Sequence, residues 1–465
     1  MRYVKLAEHC WLRGWRDQKY AIYNSQADGW DSNRVIPLTE MQFEAVKIAA
    51  AAGVDIDSPF LLPAMRRSAE RLLELKIFES CNETEGLTDK QQYRYADTRR
   101  IDVLHWEITG RCNLRCKHCY YAAGETPGVE PSLAQCREII RQLLEANAYA
   151  VDLTGGEPFC RPDFWQLMEL LKENDIRVDQ IFTNGTLVTE DTFRRLEDLQ
   201  IRPDCFLVSF DGLGWHDWMR GLNGTEEKTL RAIRLMREHG FPVVVTSVVH
   251  NESIESILPT YELMKELGVG LWRVAPVINT GSWKMHDREE TELGQLFEKY
   301  LQLLQLWQTE GRPLILRLSS FFEGILPDGS WNIPALSGCG TAEQETIKLC
   351  EFSHSNPHLL SDGRLLPCLV MNDTKLAELV PNIFSPGSNF SQALLDTKIE
   401  GYNVSTYSDL FQHNEKCRDC DYRFRCTHCP AEALIESGDY YGNISAKCFL
   451  AKGGYEDRIS AILNS

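Results

Sequence analysis

The chain has 465 residues, 43% of them hydrophobic and 25% charged, with a formal net charge of -18. That length exceeds what one core stabilises and predicts two or three domains, while the charge excludes a general role on nucleic acid or anionic lipid. No run of about 18 apolar residues offers a membrane span, and the opening MRYVKLAEHCWLRGW lacks an apolar signal core, so a cytoplasmic protein is expected.

Residues 1–95 read as a small α+β unit. VKLAEHCWLRGW and KYAIYNS have strand character, with branched and aromatic residues. Thr39 and Gln42 form a capping-box pattern ahead of FEAVKIAAAAG. Ser58 before Pro59 marks the start expected for a second helix, SPFLLPAMRRSAERLLELK. A short IFES stretch closes the pattern as a wing. Strands, two helices and a wing predict a winged-helix-like domain. Its acidic residues slightly outnumber its basic ones, so it lacks a DNA-binding footprint. An exposed strand edge that accepts an extended peptide fits that charge better.

From residue 103 the chain alternates strands and amphipathic helices. The expected strands are VLHWEIT, AYAVDLTG, VDQIFTNG, CFLVSFDG, FPVVVTSVV and GLWRVAPVI. Near-continuous apolar strands separated by helices predict a parallel sheet. Six βα units are too few for a closed eight-stranded barrel, so a partial (β/α)6 TIM-type barrel over residues 103–310 is expected. Chemistry in such folds sits at the C-terminal strand ends. The notable motifs fall there. RCNLRCKHCYY follows the first strand, TGGEP ends the second, Asn184 ends the third, and Ser209 and Asp211 end the fourth.

GQLFEKYLQLLQLWQ reads as a helix that bridges to a cysteine-rich region over residues 311–465. The chain has 16 cysteines. In a reducing compartment, clustered cysteines read as metal ligands and lone ones, such as Cys10, Cys81, Cys136 and Cys205, as small buried apolar residues. Cys112-x3-Cys116-x2-Cys119 offers three thiolates from one loop. Spacing alone leaves open a 4Fe–4S cluster with one exposed iron, a zinc site or a disulfide staple. His118 and His428 inside cysteine loops, and Cys160 after GGEP, are expected to pack.

The triad after a first strand, with Gly155, Gly156, Glu157 and Pro158 after the second, resembles the radical S-adenosylmethionine (SAM) superfamily over residues 103–280. The resemblance implies a 4Fe–4S cluster on Cys112, Cys116 and Cys119 whose open iron binds SAM. Reductive cleavage of SAM then gives a radical that abstracts a hydrogen atom. It also implies that Gly155–Pro158 receives the SAM amino group, with Ser209 and Asp211 near the ribose and Asn184 a polar neighbour. Cys350-x12-Gly363-x4-Cys368, then Cys417-x2-Cys420-x5-Cys426-x2-Cys429 and Cys448, resemble a SPASM domain. That resemblance implies two auxiliary 4Fe–4S clusters. One takes Cys417, Cys420, Cys426 and Cys448; the other takes Cys350, Cys368 and Cys429, with Cys339 as a possible fourth ligand. The last interval, Thr427–His428, is one residue shorter than is usual in that family.

Together the three regions resemble radical SAM maturases of ribosomally made peptides. The implied function is a crosslink in a precursor peptide, a thioether before a carbon–carbon bond. Residue oxidation in a partner protein is the other class. The implied partners are a precursor bound through its leader by residues 1–95, and a reductant such as flavodoxin or ferredoxin.

Overall fold

The side chain that opens the first helix is the one its sequence signals. Thr39 Oγ1 accepts from Gln42 N–H at 3.3 Å, and Gln42 Oε1 accepts from Thr39 N–H at 2.9 Å. This reciprocal cap satisfies two donors that a helix start would leave unpaired. The computed structural model describes residues 2–25, 34–82, 86–120, 129–286, 288–325, 331–332, 345–350, 356–373, 378–395, 405–423 and 426–465. Within them the chain forms two compact units. One comprises Met1–Asp102 with Ile139–Tyr149 and Asn389–Leu395; the other comprises Val103–Glu138, Ala150–Ser388 and Asp396–Ser465. No helix among the described residues is long and apolar enough to cross a membrane.

The first unit holds β1 (Tyr3–Leu6), β2 (Cys10–Gly14), β3 (Ala21–Asn24), β4 (Val35–Pro37), α1 (Glu40–Ala52), β5 (Val54–Asp55), α2 (Pro63–Glu74), β6 (Phe78–Cys81) and β7 (Arg94–Tyr95). The first expected strand is thus two strands, broken at Ala7–His9. β1 pairs antiparallel with β5 and β6, so IFES does close a small sheet. β2 joins a second sheet of order β4-β3-β2-β7. Helix α2 starts at Pro63, five residues after the expected Ser58. Ser58 instead makes a local turn, accepting from Phe60 N–H at its Oγ and from Leu61 N–H at its carbonyl. Such side-chain turns compete with a helix start. Val4, Leu6, Leu12, Ile22, Phe43, Ile56 and Phe78 form the core.

The second unit is built on β8 (Leu104–Thr109), α3 (Leu133–Glu145, whose later part belongs to the first unit), β9 (Ala150–Gly155), α4 (Phe164–Glu173), β10 (Arg177–Thr183), α5 (Glu190–Asp198), β11 (Cys205–Ser209), α6 (His216–Arg220), α7 (Thr225–Glu238), β12 (Val243–Val249), α8 (Ile257–Glu266) and β13 (Leu271–Pro276). All six expected strands are present and pair in parallel in sequence order. Helix α4 shows why they are covered. Phe164, Leu167, Met168 and Leu171 recur at helical spacing and are all buried.

The sheet does not stop at six strands. After α9 (Gly281–Met285), α10 (Leu293–Thr309) is followed by β14 (Ile315–Leu318), which pairs parallel to β13. The expected bridging helix is therefore the helix of another βα unit. After a hairpin of β15 (Gly324–Ile325) and β16 (Trp331–Asn332), β17 (His358–Leu359) pairs parallel to β8 at the other edge. It carries β18 (Leu365–Leu366) antiparallel beyond it. The order is β14-β13-β12-β11-β10-β9-β8-β17-β18, an open, barrel-like parallel sheet with a short antiparallel margin.

Candidate functional site

Two glycines bring the first two motifs together. Gly155 has φ +146°, and a Cβ there would stand 2.2 Å from the Thr109 carbonyl oxygen. A Cβ on Gly156 would stand 2.3 Å from the Arg111 oxygen and 2.9 Å from Cys112 Cβ. Only glycine lets the backbones approach this closely. Gly156 N–H donates to Thr109 O at 2.9 Å, and Glu157 N–H to Arg111 O at 2.8 Å. The GGEP segment is thereby laced to the start of the cysteine loop.

Cys112, Cys116 and Cys119 line one cavity of about 630 Å³ with Gly155, Gly156, Asn184 and Ser209. Residues from the β11, β12 and β13 ends and from helix Pro430–Ser437 complete its walls. Burial pushes the Cys112 thiol up to about 12 and also raises Cys116. Such thiols are poor free nucleophiles but suit a metal that stabilises the thiolates outright. Among the described residues, no three His, Cys, Asp or Glu side chains converge on a single ion-sized point. The triad instead borders a roomy cavity beside a glycine cradle, which fits a 4Fe–4S cluster with a small-molecule ligand.

Glu157 and Asp211 do not line that cavity. The buried Glu157 carboxylate accepts from Thr183 Oγ1 at 2.8 Å, Asn184 N–H at 2.7 Å and Phe159 N–H at 3.3 Å. It ties the ends of β9 and β10 together. Burial pushes its acid up from 4.5 to about 7, against the hydrogen bonds from Asn184 and Thr183. An acid raised on folding stabilises the fold fully below its unfolded value, and that contribution is lost as pH rises through its folded value. In cluster-free protein the thermal midpoint should therefore fall between about pH 4.5 and about pH 7. The expected loss is on the order of 3 kcal/mol. Glu157→Gln should flatten that slope in a melt series; an unchanged slope would assign the pH dependence to another group.

Asn184 also donates from Nδ2 to Asn113 Oδ1 at 2.9 Å, and Asn113 Nδ2 donates to Thr186 Oγ1 at 2.8 Å. Asn113 thus fastens the cysteine loop to the β10 end, a role that nothing in the sequence signals. Asp211 is buried against Arg220, with Nε–Oδ2 2.7 Å and Nη2–Oδ1 2.9 Å. His118 Nε2 lies 3.4 Å from Asp211 Oδ1. Burial raises the Asp211 acid, but Arg220 and then His118 outweigh it and hold the carboxyl well below the usual range. Arg220 lies in HDWMRG, a stretch in which no sequence motif signals this role.

The later cysteines fall into two groups. Burial first, then the neighbouring thiolates Cys448 and Cys420, pushes Cys417 up to about 11. Burial, then Cys448, Cys417 and Cys420 among its neighbours, pushes Cys426 up to about 12. Burial raises Cys368, which feels Cys350, and Cys429, which feels Cys368 and Cys350. Cys339 lies outside the described residues. His428 packs as expected, with Nε2 2.7 Å from the Tyr440 carbonyl. Cys160 does not line the cavity, and burial raises its thiol to about 11.

The Radical SAM superfamily model matches residues 106–264. The AdoMet-dependent heme synthase of Methanosarcina barkeri is 26% identical over 350 residues, 74% of this chain and 95% of that protein. The PqqA peptide cyclase of Gluconobacter oxydans is 25% identical over 363 residues, 76% of this chain and 91% of that protein. The crystal structure of Streptococcus suis SuiB bound to precursor peptide SuiA shares the fold at TM-score 0.61 and 17% identity, over 96% of this chain and 100% of that one. A radical SAM domain carries a 4Fe–4S cluster and SAM, the groups that the cavity fits. Residues 106–264 form that domain, and the chain is an enzyme of the radical SAM superfamily with peptide maturases among its relatives.

Proposed function

We propose that this enzyme installs an intramolecular thioether, from a cysteine sulfur to a carbon, in a ribosomally made precursor peptide. The observation that carries the reading is the cavity. One wall is the Cys112–Cys119 loop, and another is Leu369, Glu432, Ile435 and Glu436, residues that neighbour Cys368 and Cys429 in sequence. A substrate seated there would reach both cysteine sets. The PqqA peptide cyclase relative, and the fold shared with SuiB bound to precursor peptide SuiA, support a peptide as that substrate.

In this reading Cys112, Cys116 and Cys119 hold the cluster, the Gly155–Gly156 carbonyls face the SAM ammonium, and Asn184 and Ser209 supply polar contacts. Glu157 and Pro158 shape that wall from behind, and Asp211 acts from behind through Arg220. When bound, cluster and SAM supply a carbon-centred radical able to take a hydrogen atom from the substrate. Cys417, Cys420, Cys426 and Cys448 hold one auxiliary 4Fe–4S cluster. Cys350, Cys368 and Cys429 hold another, with Cys339 as its candidate fourth ligand. In the balance, the substrate thiol loses a proton, the carbon loses a hydrogen atom, and one electron passes to an auxiliary cluster. Residues 1–95 bind the precursor's leader, residues 103–310 form the catalytic unit and residues 311–465 the auxiliary module. A flavodoxin or ferredoxin in the cytoplasm supplies the electron that starts each turnover.

Alkylation tests the bond type. After turnover, iodoacetamide should label one fewer thiol per crosslink if the product is a thioether. Undiminished labelling of a product that has lost two hydrogens would assign a carbon–carbon bond instead.

A further inference from the structure

Arg220, the last residue of α6, is buried and addresses two partners at once. Its Nε and Nη2 meet the Asp211 carboxylate, and its Nη1 approaches Cys116 Sγ at 3.5 Å. The same helix end holds the backbone on both sides of that cysteine. Arg115 N–H donates to Arg220 O at 3.3 Å, and Lys117 N–H donates to Met219 O at 2.8 Å. Gly221, at φ +71°, permits the contact, because a Cβ there would stand 2.5 Å from the Arg115 oxygen. Asp211 is itself oriented. Val248 N–H donates to its Oδ1 at 3.2 Å, and its own N–H donates to His216 Nδ1 at 3.1 Å. That last bond requires an unprotonated Nδ1, and burial first, then Arg220, lowers His216 to about 3. His216 therefore adds no charge. Beyond Arg220, His118 Nε2 lies 3.4 Å from Asp211 Oδ1.

We propose that Arg220, oriented by Asp211, is a positioning residue that sets the reduction potential of the cluster held by Cys112, Cys116 and Cys119. The inference rests on the reading above that these three cysteines hold the cluster. A donor and a positive charge at a ligand sulfur favour the more negative, reduced cluster and so raise its potential. Asp211 offsets part of that charge. Removing each partner should therefore move the potential in opposite directions, which loop distortion alone would not do.

The test is a redox titration of the reconstituted full chain without SAM, followed by electron paramagnetic resonance, with iron content measured in parallel. Arg220→Gln should shift the midpoint to more negative potential, and Asp211→Asn to more positive. Each should change the reduced fraction at a fixed poise about tenfold, or about 59 mV for a one-electron couple. Arg220→Lys, which keeps the charge, should return towards the wild type. Coincident midpoints in iron-loaded R220Q and D211N overturn the proposal, and so do shifts of the same sign. If R220Q takes up no iron, R220K and D211N carry the comparison, with a small negative shift expected for the first and a positive one for the second; equal midpoints or shifts of one sign overturn it there too. A wild-type protein without a 4Fe–4S signal that SAM perturbs overturns the cysteine reading together with the proposal.

Discussion

Replacing Cys112, Cys116 or Cys119 by alanine is expected to abolish reductive SAM cleavage. The three thiols line one cavity with Gly155 and Gly156, and the backbone there is held by Gly156 N–H to Thr109 O and Glu157 N–H to Arg111 O. If the triad holds the cluster, removing one thiolate takes away a ligand that no other cysteine in this loop can replace. The fold itself should survive, because the loop follows β8 and leaves the sheet pairing untouched. The variants should keep their thermal midpoint without cluster, lose the visible absorbance of the triad cluster on reconstitution, and release no 5′-deoxyadenosine above background. A variant that cleaves SAM at the native rate would remove the triad from the chemistry.

Arg13→Ala is expected to separate the two halves of the activity. Arg13 is buried in the first unit. Its guanidinium donates to Tyr149 Oη at 2.6 Å, Leu12 O at 2.6 Å, Gln92 O at 2.9 Å and Lys90 O at 2.8 Å. It also stands 5.2 Å from the Trp11 ring centroid and 5.4 Å from that of Tyr149. Alanine leaves three buried or half-buried carbonyls and a hydroxyl without this donor. Each such loss costs about 1–3 kcal/mol, so the sum is about 4 kcal/mol or more. That is a large share of a small domain's stability. Limited proteolysis should cut within residues 1–95 far faster in the variant. If that unit recruits the precursor, crosslinking should fall at least about tenfold, since 1.4 kcal/mol of binding is already tenfold. SAM cleavage without peptide should continue. Unchanged crosslinking by a protein with a proteolytically open first unit would remove that unit from precursor recognition.

Much of this architecture was legible because it rests on periodicity. The six parallel strands are apolar runs between amphipathic stretches, and each formed where expected. The strand Ile315–Leu318 was not foreseen, since a four-residue ILRL segment after a helix carries little pattern and contains an arginine. It becomes a strand because β13 presents an open edge for it. The second helix start was misplaced because Ser58–Pro59 and Pro63 send the same local signal, and the Ser58 turn decides between them. At the site, spacing singled out Cys112, Cys116, Cys119 and the glycine pair, and the likeness to a SPASM domain suggested two groups among the later cysteines. Spacing could not show where side chains point. Glu157 and Asp211 sit at strand ends as foreseen, yet their carboxylates turn behind the cavity to Thr183 and Asn184, and to Arg220. Asn113 lies inside the cysteine motif and Arg220 outside any motif, and both matter through contacts across the fold.

The mass of the precursor peptide after turnover tests the central claim most directly. Reduced, reconstituted enzyme with SAM and the precursor should yield a peptide lighter by two hydrogen atoms per crosslink, with 5′-deoxyadenosine released alongside. A precursor of unchanged mass, or one shifted by any other amount while SAM is consumed, would contradict it.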